Sequence, residues 1–195
     1  MESDVLEHVE WALAQESGEE IFDLLRTDTG YRLKGVIEAS KDGDPVHVTY
    51  QIDCDPGWRT RAVHIEVDQS GAHRVAHLET DGQGNWRGNL PNIDKICGCI
   101  DVDLEYTPAT NLLPLRRLRL RPGASAEIRT VWVRFPELNV QPLRQTYTQL
   151  SEHRVRYESE TGFQADIEVD AWGLAIQYGE IWARKPGSKE PPCQN

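Results

Sequence analysis

Turn chemistry recurs along this chain at intervals too short for long helices. "TDTG" (27–30), "KDGD" (41–44), "DPG" (55–57), "DQSG" (68–71), "DGQG" (81–84), "RPG" (121–123), "ETG" (160–162) and "WG" (172–173) each supply residues that reverse a backbone cheaply. Between them, "VHVTYQI" (46–52), "RAVHIEV" (61–67), "HRVAHLE" (73–79), "IDVDLEY" (100–106), "RTVWVRF" (129–135) and "QADIEVD" (164–170) alternate with period two. Strands joined by short turns pair antiparallel, because a parallel pair needs a longer crossover. The expected class is therefore mainly β, with an antiparallel meander.

Two segments do not fit that rhythm. "DVLEHVEWALA" (4–14) can place Val5, Val9 and Leu13 on a helical stripe, or alternate Val9, Trp11 and Leu13 in a first strand. Periodicity leaves both open. "TPATNLLPLRRLRL" (107–120) is almost continuously apolar up to two adjacent arginines. Thr110 or Asn111 can cap a helix there, and Pro114 is tolerable in a first turn. From Arg117 the pattern turns to period two, so the expectation is a short helix, 111–117, with Leu118–Leu120 re-entering the sheet.

The chain has 195 residues and a formal charge of −11. That length suits one domain, expected over residues 1–184, with 185–195 a tail lacking fixed structure. No nucleic-acid partner is expected for so acidic a chain, since phosphate needs a positive face. No apolar run approaches the roughly 18 residues of a spanning helix, so no stable membrane insertion is expected. The opening "MESDVLEHVEWALAQ" has acidic residues where a signal peptide carries basic ones, and the expected location is cytoplasmic. There Cys54, Cys97, Cys99 and Cys193 are expected as thiols.

Several side-chain groupings have chemical potential. "CGCIDVDLEY" (97–106) puts Cys99, Asp101, Asp103 and Glu105 on one strand face. That face is read first as solvated, with a polar interior network with arginines or a paired-carboxylate site as alternatives. Arg59 and Arg61 align with Val63, Ile65 and Val67. Either they pair with Asp101 or Asp103, or a bulge near Trp58 resets the register. Internal ion pairs with Asp101 and Asp103 are likewise the expectation for Arg116 and Arg117, with an acidic head group as the alternative. His64, His73 and His77 can meet across a hairpin, but no spacing completes a zinc pattern. Cys54 lies between Asp53 and Asp55, which raise its thiol pKa and disfavour a reactive thiolate. Trp58, Trp86, Tyr147, Tyr178 and Trp182 combine a flat apolar body with a polar tip, as residues lining ligand clefts do, and as core residues do too.

Taken in order, "YQIDCDPGWRTR" (50–61), "DGQGNW" (81–86), "GCIDVDLEYTPATNLLPLRRL" (98–118), "VRFPEL" (133–138), "QTYT" (145–148) and "VDAWGLAIQY" (169–178) resemble a bacterial family described as "putative glycolipid-binding". The resemblance spans roughly residues 9–184, and its specific part is the run from Asp101 to Leu118. It implies a spiral β-roll: one long, curled antiparallel sheet wrapped around a single short helix. It also implies a non-enzymatic binder of a glycolipid or similar amphiphile. Trp58, Arg61, Trp86, Asp101, Asp103, Asn111, Arg116, Arg117 and Tyr147 are the candidate ligand-binding residues. Trp58 and Trp86 would stack on a sugar or acyl chain, and Arg61, Arg116 or Arg117 would meet an acidic head. No catalytic residue, metal ligand or cofactor is assigned. An enzyme with a carboxylate–arginine pocket and a protein-interaction domain are the alternatives.

Overall fold

A computed structural model describes residues 4–15, 17–41 and 43–187. Cys193 and most of the expected tail lie outside the described residues. The described residues form fourteen strands: β1 (Asp4–Leu13), β2 (Glu19–Thr27), β3 (Gly30–Lys41), β4 (Asp44–Cys54), β5 (Thr60–Gln69), β6 (Ala72–Thr80), β7 (Trp86–Gly88), β8 (Asp101–Leu104), β9 (Ser125–Arg134), β10 (Asn139–Ser151), β11 (Arg154–Ser159), β12 (Gln164–Val169), β13 (Ala175–Tyr178) and β14 (Trp182–Arg184). A 3₁₀ turn, Ala109–Asn111, runs directly into the helix α1, Leu112–Leu118. No helix among the described residues is long and apolar enough to cross a membrane.

All fourteen strands belong to one sheet, ordered β7-β6-β5-β4-β3-β2-β1-β14-β13-β12-β11-β10-β9-β8. β1 sits mid-sheet, paired with β2 on one side and with β14 on the other. The ambiguous first segment is thus a strand, with Val9 and Trp11 buried and His8 exposed between the inward positions. Every pairing is antiparallel except β8 with β9. That parallel pair requires a crossover, and the crossover is the helical stretch that broke the turn rhythm.

The sheet rolls until its two edges approach each other. Trp86 Nε1, on edge strand β7, donates to the carbonyl of Cys99 just before edge strand β8 (2.8 Å). Gly98 N donates to Gly84 O (2.9 Å). Further along, Lys41 Nζ at the end of β3 donates to Phe135 O beyond β9 (2.6 Å). The inward residues of β1–β6 and of β8–β9 thereby share one core, with Leu112 and Leu113 of the helix inside it. A smaller cluster, including Tyr147, Tyr157 and Ile167, fills the other wing.

Three local expectations need correction. Neither Thr110 nor Asn111 caps α1 through its side chain. Thr110 Oγ1 donates instead to Asp103 Oδ1 (3.3 Å), and Asn111 Nδ2 to Pro108 O (3.1 Å). Residues Leu118–Leu120 do not re-enter the sheet: Arg119 takes a left-handed conformation (φ 49°) and stops the helix, and β9 begins only at Ser125. Finally, the acidic face of β8 is covered and not solvated: Val102 and Leu104 face the core, and on the opposite face Asp101 is fully buried against the helix that β8 leads into.

Gly35 shows how closely the roll packs. The ring of Tyr50 on β4 lies where a Cβ on Gly35 would stand. Tyr50 is buried and its hydroxyl donates to Glu20 Oε1 (2.5 Å), so it has no room to move aside. Gly35→Ala is expected to cost about 1–3 kcal/mol of stability through overpacking. Chemical denaturation checks this; an unchanged midpoint would contradict it.

Candidate functional site

The candidate ligand residues fall into separate groups. Arg61 is the extra residue of a bulge in β5: opposite it, Asp53 pairs with Ala62 and Cys54 with Thr60. The bulge resets the register, so Thr60 and Val63 face inward and Arg61 is exposed. Arg61 donates to Asp81 O, and Arg59 Nη1 to Gly82 O (2.8 Å), not to the β8 carboxylates. Arg61 and Trp86 share a shallow surface hollow.

Trp58 is buried under Tyr31, with ring centroids 4.0 Å apart and nearly parallel. The Arg116 guanidinium carbon lies 5.2 Å from the ring centroids of both Trp58 and Trp172. Contrary to expectation, Arg116 forms no ion pair with Asp101 or Asp103; aromatic faces hold it. It ties the β4–β5 turn to the β12–β13 turn across the end of α1. Burial of this guanidinium lowers its pKa from the ordinary arginine value.

Arg117 does pair with Asp101, through Nε to Oδ1 (3.0 Å) and Nη2 to Oδ2 (2.5 Å). Even so, burial raises the Asp101 pKa, and the Arg117 contact only partly offsets it. This is a closed internal bridge of the interior network considered from the sequence.

The third group is different. Asp103 has no arginine partner: Gln145 Nε2 donates to its Oδ2 and Thr110 to its Oδ1. Tyr147 OH donates to Asn111 Oδ1 (2.8 Å) and approaches Gln145 Oε1 (3.3 Å). Neutral donors stabilise a carboxylate less than a cation does, and burial raises the Asp103 pKa to about 7. Asp103 and Asn111 form the polar floor of a cleft of about 670 Å³ between the helical crossover and the β10–β14 wing.

The wall of that cleft is largely aromatic. Tyr157, Phe163 and Tyr178 pack against one another with centroids 5.8–6.2 Å apart. Trp132, Leu143 and Trp182 continue the apolar surface, while Ser159, Thr161 and Glu180 add polar atoms. Alternation along β10 explains the floor: Leu143, Gln145 and Tyr147 all face inward, so one strand supplies both wall and network. Tyr178 and Trp182 are among the aromatics that the sequence marks; Trp132, Leu143, Gln145, Tyr157 and Phe163 are not, and the inward polar Gln145 between two apolar positions is the one signal of the floor that the sequence carries.

Other groupings have simpler readings. His64 and His77 meet with ring centroids 4.5 Å apart, while His73 instead pairs with Asp68 (2.9 Å). Burial, reinforced by Asp101, Asp53 and Asp55, drives the Cys54 thiol well above its ordinary pKa, as its setting implied.

Comparison with known proteins agrees with this architecture. The sequence profile of the family described as "putative glycolipid-binding" matches residues 8–184, from β1 to β14. The crystal structure of a DUF1089 family protein from Pseudomonas aeruginosa is similar with a TM-score of 0.79 and 31% identity. The match covers 87% of this chain and 93% of that one. No curated protein matches. With a match that takes in every strand bordering the cleft, the chain belongs to the "putative glycolipid-binding" family.

Proposed function

We propose that the chain binds an amphiphile, a glycolipid or a molecule of similar build, in the cleft between the helical crossover and the β10–β14 wing. The observation that carries this is the pairing of an aromatic wall with a polar floor in one cavity. About 300–1,000 Å³ is the usual range for a small-molecule site, and this cleft is about 670 Å³. The apolar chain lies along Tyr157, Phe163 and Trp132, and the polar end reaches Asp103 and Asn111. Native mass spectrometry of gently purified protein, followed by organic extraction, tests the reading. A mass adduct that extracts as an amphiphile is expected. Ser159→Trp, which places an indole in the cleft from the end of β11, is expected to abolish the adduct while leaving the fold intact. Retention of the adduct by that variant would place the ligand elsewhere.

One observation favours a second reading, acid–base catalysis on the bound head group. Asp103 lies in an accessible cleft with a pKa of about 7, the range suited to proton transfer near neutral pH. Prolonged incubation with a nitrophenyl glycoside distinguishes the two: binding alone leaves the glycoside whole, and catalysis releases nitrophenol in an Asp103-dependent way.

A further inference from the structure

Resting on the binding reading, we propose that the cleft selects a ligand whose polar end is uncharged and hydroxyl-bearing, and rejects anionic heads such as phosphate or sulfate. Among the described residues lining the cleft, three are carboxylic acids, Asp103, Glu105 and Glu180, and none is Lys, Arg or His. The three arginines expected to meet an acidic head all lie outside this cleft: Arg61 donates to a loop carbonyl, Arg116 lies over two tryptophan rings, and Arg117 pairs with Asp101. Glu105 is held by the Phe135 backbone N–H (2.8 Å). Its nearest cation, Arg134, stands 3.9 Å away as an exposed side chain. The Arg134 guanidinium also lies over the Trp132 ring (5.0 Å) and is not part of the lining, so an anion entering this cleft would shed water with no cation in the lining to replace it, which is costly.

Hydroxyls meet the opposite situation. A carboxylate can accept at about four lone-pair positions. Gln145 and Thr110 occupy two of those on Asp103, which leaves acceptor capacity for sugar-type hydroxyls. The Tyr157, Tyr178, Ser159 and Thr161 side chains add hydroxyls on the facing wall. The flat faces of the aromatic rings suit the apolar face of a sugar ring as well as an alkyl chain.

The test compares monomeric octyl β-glucoside with octyl phosphate at mildly alkaline pH, by calorimetry and by tryptophan emission. The chain is the same in both, so the difference reports the head. Saturable binding of the glucoside, with the phosphate at least about tenfold weaker, is expected. Glu180→Lys, at an exposed position on the cleft mouth, is expected to tighten the phosphate and narrow that gap. Equal or tighter binding of the phosphate by the unaltered protein overturns the selectivity and leaves the binding reading standing. An unchanged ratio in Glu180→Lys also overturns it, since charge would not be the selector. Saturation by neither probe overturns both readings together.

Discussion

Replacing Arg117 with Met is expected to destabilise the protein by about 3–5 kcal/mol, because it strands the Asp101 carboxyl in the core. Asp101 is fully buried and both of its oxygens are bonded to the one guanidinium. Burial already raises its pKa with the partner in place. Without Arg117 the carboxyl must be protonated in the fold, so the penalty grows as pH rises. For a chain of this size the melting temperature should fall by about 10 °C. The double variant Asp101→Leu with Arg117→Met separates a missing partner from a missing structure. With both charges gone, stability should return to near the starting value, as apolar pairs of similar volume often replace buried ion pairs at no net cost. A single Arg117→Met variant within about 1 kcal/mol of the parent would show that the bridge is dispensable.

The second large effect is on pH dependence, and Glu20 is one of its main sources. Glu20 is fully buried on β2. Its Oε1 accepts from Tyr50 (2.5 Å) and Thr107 (2.9 Å), and its Oε2 has no partner. Burial raises its pKa from 4.5 to about 8. The folded state therefore holds a proton that the unfolded chain releases at lower pH. Stability from this group is full below about 4.5, falls as pH rises, and levels off above about 8. At about 1.4 kcal/mol per pH unit the loss across that window is about 5 kcal/mol. Asp103 acts in the same direction up to about 7. Glu20→Gln keeps an acceptor for Tyr50 and Thr107 and cannot ionise. Its stability should fall less steeply with pH, crossing the parent's so that the variant is the more stable at alkaline pH. Parallel pH profiles from urea denaturation would contradict the assignment.

How far the sequence disclosed this molecule varies from strand to strand. β4, β5, β6, β8, β9 and β12 were visible because their inward positions are apolar and alternate with polar ones. β2 and β3 were hidden by their own inward faces: Glu20 occupies one position and Gly35 another, where alternation leads one to expect a hydrophobe. β10 was hidden by the inward Gln145. The helix was legible from its apolar run and Pro114, but its end was not, since Arg119 adopts a conformation that usually signals glycine.

The site was less legible than the fold for a related reason. Asp103, Asn111 and Tyr147 were named from the sequence, and they do come together around Gln145. The aromatic wall that makes them the floor of a cleft comes from later strands of the same wing. The pairing of β9, β10 and β11 in order, with Tyr157 beside Tyr147, brings Tyr157 and the following Phe163 to the floor set by Asp103 and Asn111 far earlier in the chain. Of the two adjacent arginines, Arg117 pairs with Asp101 as expected, whereas Arg116 lies over two tryptophan rings and not beside a carboxylate.

A crystal structure of the protein grown with octyl β-glucoside tests the central claim most directly. The account predicts the glucose ring within hydrogen-bonding distance of Asp103 and Asn111, and the octyl chain along Tyr157, Phe163 and Trp132. A glucoside bound in the hollow beside Arg61 and Trp86, with the cleft left unfilled, would contradict it.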